Sequence, residues 1–375
     1  MLRAMRRLAA NLIRVARVRP LAAAVVALVL AGPSRGQGPQ PDRLTAEVER
    51  WSALARDSPA KDETWIQVKQ ASEPELARAR EALRSGRRLL GLLYLSNAQP
   101  DLAAALYLAE RPPDQRKDPA AFEAEWARLG TDLRSDLAPP SGSALEGVAP
   151  AALRAIAEAA LPQVRVYYDA SLEYGRNTMP EYGLFYLGTA QAERQLASFL
   201  VTLSAPSPLS APPVRSYAPE LRQLESRLLS AYRPPASIDE HREFIGISSR
   251  LKEARELDAL GLRYGALLRE LQTSLRLRLL SLEPATLDAA AIREGLTRAA
   301  PRLAAAGVDH SVGRLFLELA EADLAAAGPD HPPTAAAAVL DEVLPRYFES
   351  LAPPRPEPPA APPQVTVTLV RWPYT

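Results

Sequence analysis

Tyrosines and carboxylates are concentrated between Val166 and Arg194, a segment we call the tyrosine corner. Its candidate ligand- or partner-binding residues are Tyr168, Glu173, Tyr174, Glu181, Tyr182 and Tyr186. Each tyrosine combines a large apolar ring with a polar tip, so several together suit a groove for a peptide, a glycan or another ligand. The alternative is that the rings only pack two helices together, with their hydroxyls at the surface.

The carboxylates of this corner suggest a second kind of chemistry. Asp169 and Glu173 are four residues apart, which places them on one face of a helix, and Glu181 begins the next helix. Two carboxylates beside one substrate can act as general acid and general base in hydrolysis. An envelope hydrolase is therefore an alternative to a binding function, although carboxylates on a solvated helix face are more common.

The sequence offers few other reactive groups. It contains no cysteine, which excludes disulfides, thiolate metal sites and cysteine nucleophiles. The only histidines are His241, His310 and His331, and no Gly-x-Ser-x-Gly, His-Glu-x-x-His or phosphate-binding glycine motif occurs. In the related octapeptides LAAAGVDH (303–310) and LAAAGPDH (324–331), we expect each Asp to cap a helix rather than bind a metal. We expect no metal and no cofactor, and more readily a binding protein than an enzyme.

The tripeptide Glu-Tyr-Gly occurs twice, at 173–175 and 181–183. The residues between the two copies include Pro180, which cannot lie in a helix interior without breaking a backbone hydrogen bond. The pattern therefore predicts two helices that meet at a tight turn, with their tyrosines converging beside it.

The surrounding chain is typical of an all-α protein. From residue 42 to residue 351, apolar residues recur every three or four positions rather than alternating, which indicates amphipathic helices. We predict a helical bundle or an α-solenoid-like array of about ten helices. Proline-rich stretches divide this body into helical segments that are either domains or lobes of one array. The segments are 42–137, 149–204 (with the tyrosine corner) and 216–351.

Three finer features of these helices follow from spacing. A heptad-like apolar repeat predicts one long helix from Ile238 to about Leu282. Gly261 and Gly265 lie four residues apart within it, where they would let a neighbouring helix approach closely. A serine at 72 followed by a glutamate at 75 has the pattern of a capping box and predicts a helix start there.

Residues 87–110 resemble one tetratricopeptide-type helical hairpin, with a turn at 97–100. The residues that match the spacing of that family are Leu90, Gly91, Tyr94, Ala103 and Tyr107. No second copy follows after the period of about 34 residues that the family uses. The resemblance implies an α-solenoid that binds peptides or proteins and is not an enzyme.

The first 36 residues have the layout of an export signal. They contain seven arginines and no acidic residue, and an apolar run at 21–32 follows the main arginine cluster. This run is shorter than the roughly 20 residues of a membrane span. We therefore expect a cleaved signal peptide (1–36) and a periplasmic or secreted protein, with an uncleaved membrane anchor as the alternative. Removal of these arginines from a chain of net charge +1 leaves an acidic body, which disfavours nucleic acid as a partner.

The C-terminal end differs from the helical body. Residues 352–363 are rich in proline and predict a stiff, extended linker, and residues 364–375 (QVTVTLVRWPYT) predict one β-strand. A lone strand leaves its backbone groups unpaired, so it either folds back on its own protein or adds to the sheet of a partner. The strand residues expected to contact a partner are Val365, Val367, Leu369 and Trp372.

These features together predict an exported bacterial cell-envelope protein that binds or scaffolds an envelope protein partner. The tyrosine corner is the first candidate contact surface and the C-terminal strand is the second. The alternatives are the hydrolase described above and a membrane-anchored assembly factor that retains residues 1–36.

Overall fold

The computed structural model shows an all-α protein. The structure describes residues 42–57, 63–136, 145–233, 240–283, 287–304, 307–328 and 330–352. Within these ranges the chain forms thirteen helices and no β-strand, which confirms the predicted all-α class. The helices are α1 (Arg43–Asp57), α2 (Glu63–Arg84), α3 (Arg88–Ala109), α4 (Pro113–Lys117), α5 (Pro119–Asp132), α6 (Ala151–Asn177), α7 (Pro180–Leu203), α8 (Ala218–Ala231), α9 (His241–Ala259), α10 (Arg263–Leu280), α11 (Ala289–Leu303), α12 (Ser311–Ala325) and α13, which runs through Thr334–Ala338, a π-helical stretch at Val339–Val343, and Leu344–Ser350.

Several predictions concern residues outside the described ranges. They are the export signal at 1–36, the linker from residue 353 onward, and the strand at 364–375 with Val365, Val367, Leu369 and Trp372. These remain predictions from the sequence.

The hairpin of α6 and α7 lies at the centre of the helix packing. Helix α3 packs on α7, α2 packs on α3, and the α9–α10 pair packs on α6 through α10. One cluster of buried apolar side chains extends through these layers and includes Val48 of α1, Leu196 of α7 and Val339 of α13. Full burial of such a side chain contributes about 1.5–3 kcal/mol, so this shared core holds the tyrosine corner in place.

The predicted tight turn between two helices is confirmed by the α6–α7 hairpin. The repeated tripeptide has a structural reason, because its two glycines face each other across the hairpin. A Cβ atom on Gly183 would lie 2.6 Å from the Cα of Gly175, and a Cβ on either glycine would collide with the ring of Phe122. The glycines therefore allow α6, α7 and the first turn of α5 to meet at one point.

The predicted single helix over 238–282 is wrong, because α9 ends at Ala259 and α10 begins at Arg263. Gly261 between them has φ +76°, a left-handed conformation that glycine adopts without steric cost. The backbone N–H of Leu262 donates to the carbonyl of Leu257 at 2.9 Å, which is the pattern of a glycine C-terminal cap. The apolar repeat runs through the break because both helices bury the same face.

Gly265, at the start of α10, fulfils the predicted role of allowing close helix approach. A Cβ atom there would lie 2.9 Å from the Cβ of Glu158 on α6. Glu158 is fully buried, and its carboxylate accepts hydrogen bonds from the Gly265 N–H at 2.9 Å and from Arg154 at 2.7 Å. Each oxygen of this buried carboxylate accepts a hydrogen bond, and the carboxylate joins α6 to α10.

The expected hairpin at 87–110 is wrong, since these residues form the uninterrupted helix α3 with Pro100 inside it. An internal proline costs about 3 kcal/mol in an isolated helix. Here α3 is buried among α2, α7 and α12 on most of its surface, and this burial outweighs the cost. The prediction of a helix start at Ser72 is also wrong, because Ser72 is buried within α2.

Asp309 confirms the capping function expected for the first octapeptide. Its carboxylate accepts from the backbone N–H of Ser311 at 3.0 Å, in the first turn of α12. The same carboxylate accepts from the N–H of Ala151 at 2.6 Å, at the start of α6. One buried aspartate therefore caps two helices and fixes the start of the helix that carries the tyrosines.

Candidate binding sites

The tyrosines of the corner converge along one side of the α6–α7 hairpin. The ring centroids of Tyr174 and Tyr186 lie 4.7 Å apart in a stacked arrangement, and Tyr167 lies 6.0 Å from Tyr186. Burial, together with the neighbouring Tyr174 hydroxyl and the Glu173 carboxylate, raises the pKa of Tyr186 above its usual value. All three rings are half-buried, so each presents part of its apolar face along this side of the hairpin.

Tyr168 points to a different part of the molecule from Tyr174 and Tyr186. Its side chain is buried, its ring stacks on Trp126 of α5 at 5.1 Å, and its hydroxyl donates to the Trp126 carbonyl at 3.1 Å. A Cβ on Gly130 would collide with the same hydroxyl. Tyr168 therefore joins α5 to α6 and does not reach a surface where a ligand would bind.

Glu181 and Tyr182 line a pocket of about 250 Å³ between the first turns of α2 and α7. The lining residues are Glu63, Thr64, Gln67, Leu108, Glu181, Tyr182 and Phe185. Glu63 accepts a hydrogen bond from Gln67 at 3.1 Å. Neither glutamate forms an ion pair with a described residue, so within the described ranges this pocket combines an apolar wall with two carboxylates that have no cationic partner. Their positions in first helical turns are favourable for the helix dipoles, which accounts for part of their occurrence.

Two large apolar side chains are exposed close in sequence to this pocket. Ile66 on α2 is 41% exposed and Met179, two residues before Glu181, is 39% exposed. A contiguous apolar surface rimmed by polar residues often marks an interaction site, whereas single exposed apolar side chains scattered over a surface do not. The pocket and these two residues form what we call the corner patch.

The three carboxylates considered for acid–base chemistry occupy different surroundings. Asp169 is exposed and pairs with Arg165 at 3.4 Å on the surface, and Glu173 is exposed. Glu181 is half-buried and lines the pocket of the corner patch. Of the three, Glu181 is therefore the residue placed to contact a bound group.

A second polar cluster surrounds Glu270 on α10 and has no counterpart in the sequence predictions. Burial raises the pKa of Glu270 to about 7, and Arg346 acts in the opposite direction. An Nη1–Oε1 distance of 3.3 Å joins Arg346 to Glu270, while the other Glu270 oxygen and the buried Tyr217 hydroxyl have no hydrogen-bond partner among the described residues. Buried polar groups are usually hydrogen-bonded, and a protonated Glu270 reduces the cost of this arrangement.

A second cavity, of about 660 Å³, lies between α2, α3, the end of α12 and the start of α13. Sequence reasoning missed it, because its lining comes from four elements far apart in the chain. The one available signal was His331 of the second octapeptide, whose Nε2 lies 3.3 Å from the Asp323 carboxylate. That pair does not meet His310, which lies 3.0 Å from the Tyr347 hydroxyl.

Among the residues that the structure describes, no group of histidine, aspartate and glutamate is arranged to hold a metal ion. None of the helices in these ranges is both long and apolar enough to cross a membrane. The chain matches no protein-family model, no curated protein and no solved structure.

Proposed function

We propose that this chain is an exported bacterial cell-envelope protein that binds a partner protein at the corner patch. The observation that supports this proposal is the pocket that Glu63 and Glu181 line together with the aromatic residues Tyr182 and Phe185. A lysine or arginine of a partner would place its charge at the carboxylates and its aliphatic stem along the rings.

The size of the pocket favours a single side chain over a whole small molecule. Its volume of about 250 Å³ lies below the range of about 300–1,000 Å³ that is usual for small-molecule sites. Ile66 and Met179 are exposed and lie one and two residues from the lining residues Gln67 and Glu181 in sequence, so a partner would contact them as apolar groups beside the pocket. An apolar contact around one anchoring charge is a common layout of protein interfaces.

The proposal includes export through residues 1–36, with cleavage of that segment. Mass analysis of the N-terminus of the protein from envelope fractions tests it. Absence of residues 1–36 from the purified protein supports a periplasmic or secreted binding protein. Detection of Met1 or Leu2 would instead support a membrane-anchored assembly factor.

Site-specific photo-cross-linking in cells tests the corner patch directly. A photoreactive amino acid replaces Met179 in one variant and Leu229 in a second, since Leu229 of α8 is 69% exposed and lies outside the patch. We expect one discrete adduct from position 179, its loss when Glu181→Lys is added, and no such adduct from position 229. An adduct that persists with Glu181→Lys, or the same adduct from both positions, would contradict the proposal.

A further inference from the structure

The 660 Å³ cavity has the size of a small-molecule site and a mixed lining. Its polar groups come from the ends of three helices, and the rest of its wall consists of apolar and mostly small side chains. These are Leu90, Leu319, Ala82, Ala322, Ala325 and Ala335. Alanine side chains leave this space open, so the cavity is a consequence of residue size at these positions.

A guanidinium without a carboxylate partner lies at one part of the lining. Arg87, just before α3, donates to the Ser85 hydroxyl at 2.9 Å and forms no ion pair with a described residue. The nearby arginines differ, because Arg78 pairs with Glu75 at 2.9 Å and Arg84 pairs with Glu81 at 3.3 Å. The cavity therefore presents one positive charge that is available to an anionic group.

A carboxylate and a free hydroxyl belong to the same cavity. The side chain of Asp323 is only 12% exposed, and it accepts from the Ala336 N–H at 2.9 Å and approaches His331 Nε2 at 3.3 Å. Each carboxylate oxygen accepts two hydrogen bonds, so Asp323 retains acceptor capacity. Tyr94 lies close enough to Asp323 for that charge to act on it, and its hydroxyl forms no hydrogen bond with a described residue.

We propose that this cavity binds a short apolar peptide in its zwitterionic form. The peptide carboxylate lies at Arg87, its ammonium group lies between Asp323 and the Tyr94 hydroxyl, and its apolar side chains contact Leu90, Leu319 and the alanines. Arg87 and Asp323 then each contact a peptide group of opposite charge. An apolar ligand without charges would leave the Arg87 guanidinium desolvated without an anionic partner, which is unfavourable.

This site is independent of the corner patch. The two cavities share no lining residue, and the peptide site requires no partner protein. Failure of one proposal therefore leaves the other unaffected.

Calorimetric titration of the purified protein with leucyl-leucine tests the proposal. The comparison ligands are N-acetyl-leucyl-leucine, which lacks the ammonium, leucyl-leucine amide, which lacks the carboxylate, and glycylglycine, which lacks apolar side chains. We expect one leucyl-leucine per chain and binding of each comparison ligand weaker by about tenfold or more, because a charge-assisted hydrogen bond or the apolar contact is lost. No binding of leucyl-leucine at millimolar concentration would overturn the proposal.

Two variants assign the ends of the peptide. Arg87→Gln should weaken leucyl-leucine about tenfold and leave the amide unchanged, and Asp323→Asn should weaken leucyl-leucine and leave the N-acetyl form unchanged. Asparagine retains an acceptor for the Ala336 N–H, so this variant keeps the cap. Arg298→Gln, at an exposed and paired arginine of α11 that does not line the cavity, is the matched control. Equal affinities of the Arg87 and Arg298 variants, or equal weakening of all ligands, would overturn the assignment.

Discussion

At Glu270, burial and a neighbouring arginine act on one carboxyl in opposite directions. Burial has the larger effect and raises the pKa to about 7, while Arg346 lowers it and the carboxylates of Glu220 and Glu342 raise it further. Tyr217 and Arg215, which precede α8, also face the cluster, and Arg227 of α8 pairs with Glu342. The carboxyl therefore exchanges its proton near neutral pH.

The raised pKa of Glu270 predicts that stability falls as pH rises from about 4.5 to about 7. In this window the folded state holds a proton that the unfolded state has lost, so raising the pH favours unfolding. At about 1.4 kcal/mol per pKa unit, the effect is about 3 kcal/mol. Chemical unfolding of the parent and of Glu270→Gln at pH 5 and pH 8 measures it.

The neutral variant should show a smaller loss of unfolding free energy between these two pH values than the parent. Glu81→Gln, which removes an exposed carboxyl, should follow the parent profile. Parallel profiles for the parent and Glu270→Gln would show that Glu270 does not bind the proton.

Gly183 is the residue on which the geometry of the corner depends. Gly183→Ala should lower the unfolding free energy by about 2 kcal/mol or more, since the added methyl group collides with Gly175 and Phe122. Gly246→Ala in α9 is the matched control, because its added Cβ meets only one Arg250 atom at 3.8 Å. That control should raise stability by up to about 1 kcal/mol. Equal changes in the unfolding free energy of the two variants, measured in urea, would contradict the close approach of α6 and α7 at Gly183.

At the residue scale, the sequence predicted part of the arrangement of the tyrosines in the tyrosine corner. The repeated tripeptide placed the tyrosines beside one turn, and Tyr174 and Tyr186 do stack there. The separation of Tyr168 from this group was not predictable, because α6 is buried on two sides and adjacent tyrosines contact different helices. The partner of Tyr168 is a backbone carbonyl on α5, which no spacing within α6 indicates.

At the scale of elements, predictions from local sequence patterns were wrong where burial determined the secondary structure. Proline at 100 predicted a turn, yet α3 continues because most of its surface is buried. The apolar repeat predicted one long helix, yet Gly261 ends α9 with a left-handed turn. An apolar repeat indicates which face of a helix is buried, but it does not indicate whether the helix continues without a break.

Replacement of this glycine tests the role of the α9–α10 turn. Gly261→Ala should lower the unfolding free energy by about 1 kcal/mol, because a residue with a Cβ is disfavoured at φ +76°. No atom lies within 4 Å of the added Cβ, so the cost comes from the backbone alone. Urea unfolding with an unchanged m-value measures it. Unchanged or increased stability would show that the turn relaxes without cost.

At the scale of the whole molecule, one buried cluster joins residues of all three helical segments that the sequence predicts. Tyr347 near the end of α13 is fully buried and bonds to His310. The last described residue, Ala352, follows this contact directly. The described core is therefore continuous from α1 to the end of α13.

Deletion of residues 364–375 should leave the helicity and the melting temperature of the protein almost unchanged. If the strand adds to the sheet of an envelope partner, the same deletion should abolish that association. Circular dichroism and thermal unfolding of the full and shortened proteins measure the first effect. A fall in melting temperature of many degrees would show that the strand folds against its own protein.

The most direct test of the binding function is selection of a random peptide library, displayed on phage, against the immobilised mature protein. We predict enrichment of peptides with a lysine or arginine beside apolar residues, and loss of that enrichment on Glu181→Lys protein whose helicity is intact. Enriched peptides without a basic residue, or the same enrichment on both proteins, would contradict binding at the corner patch.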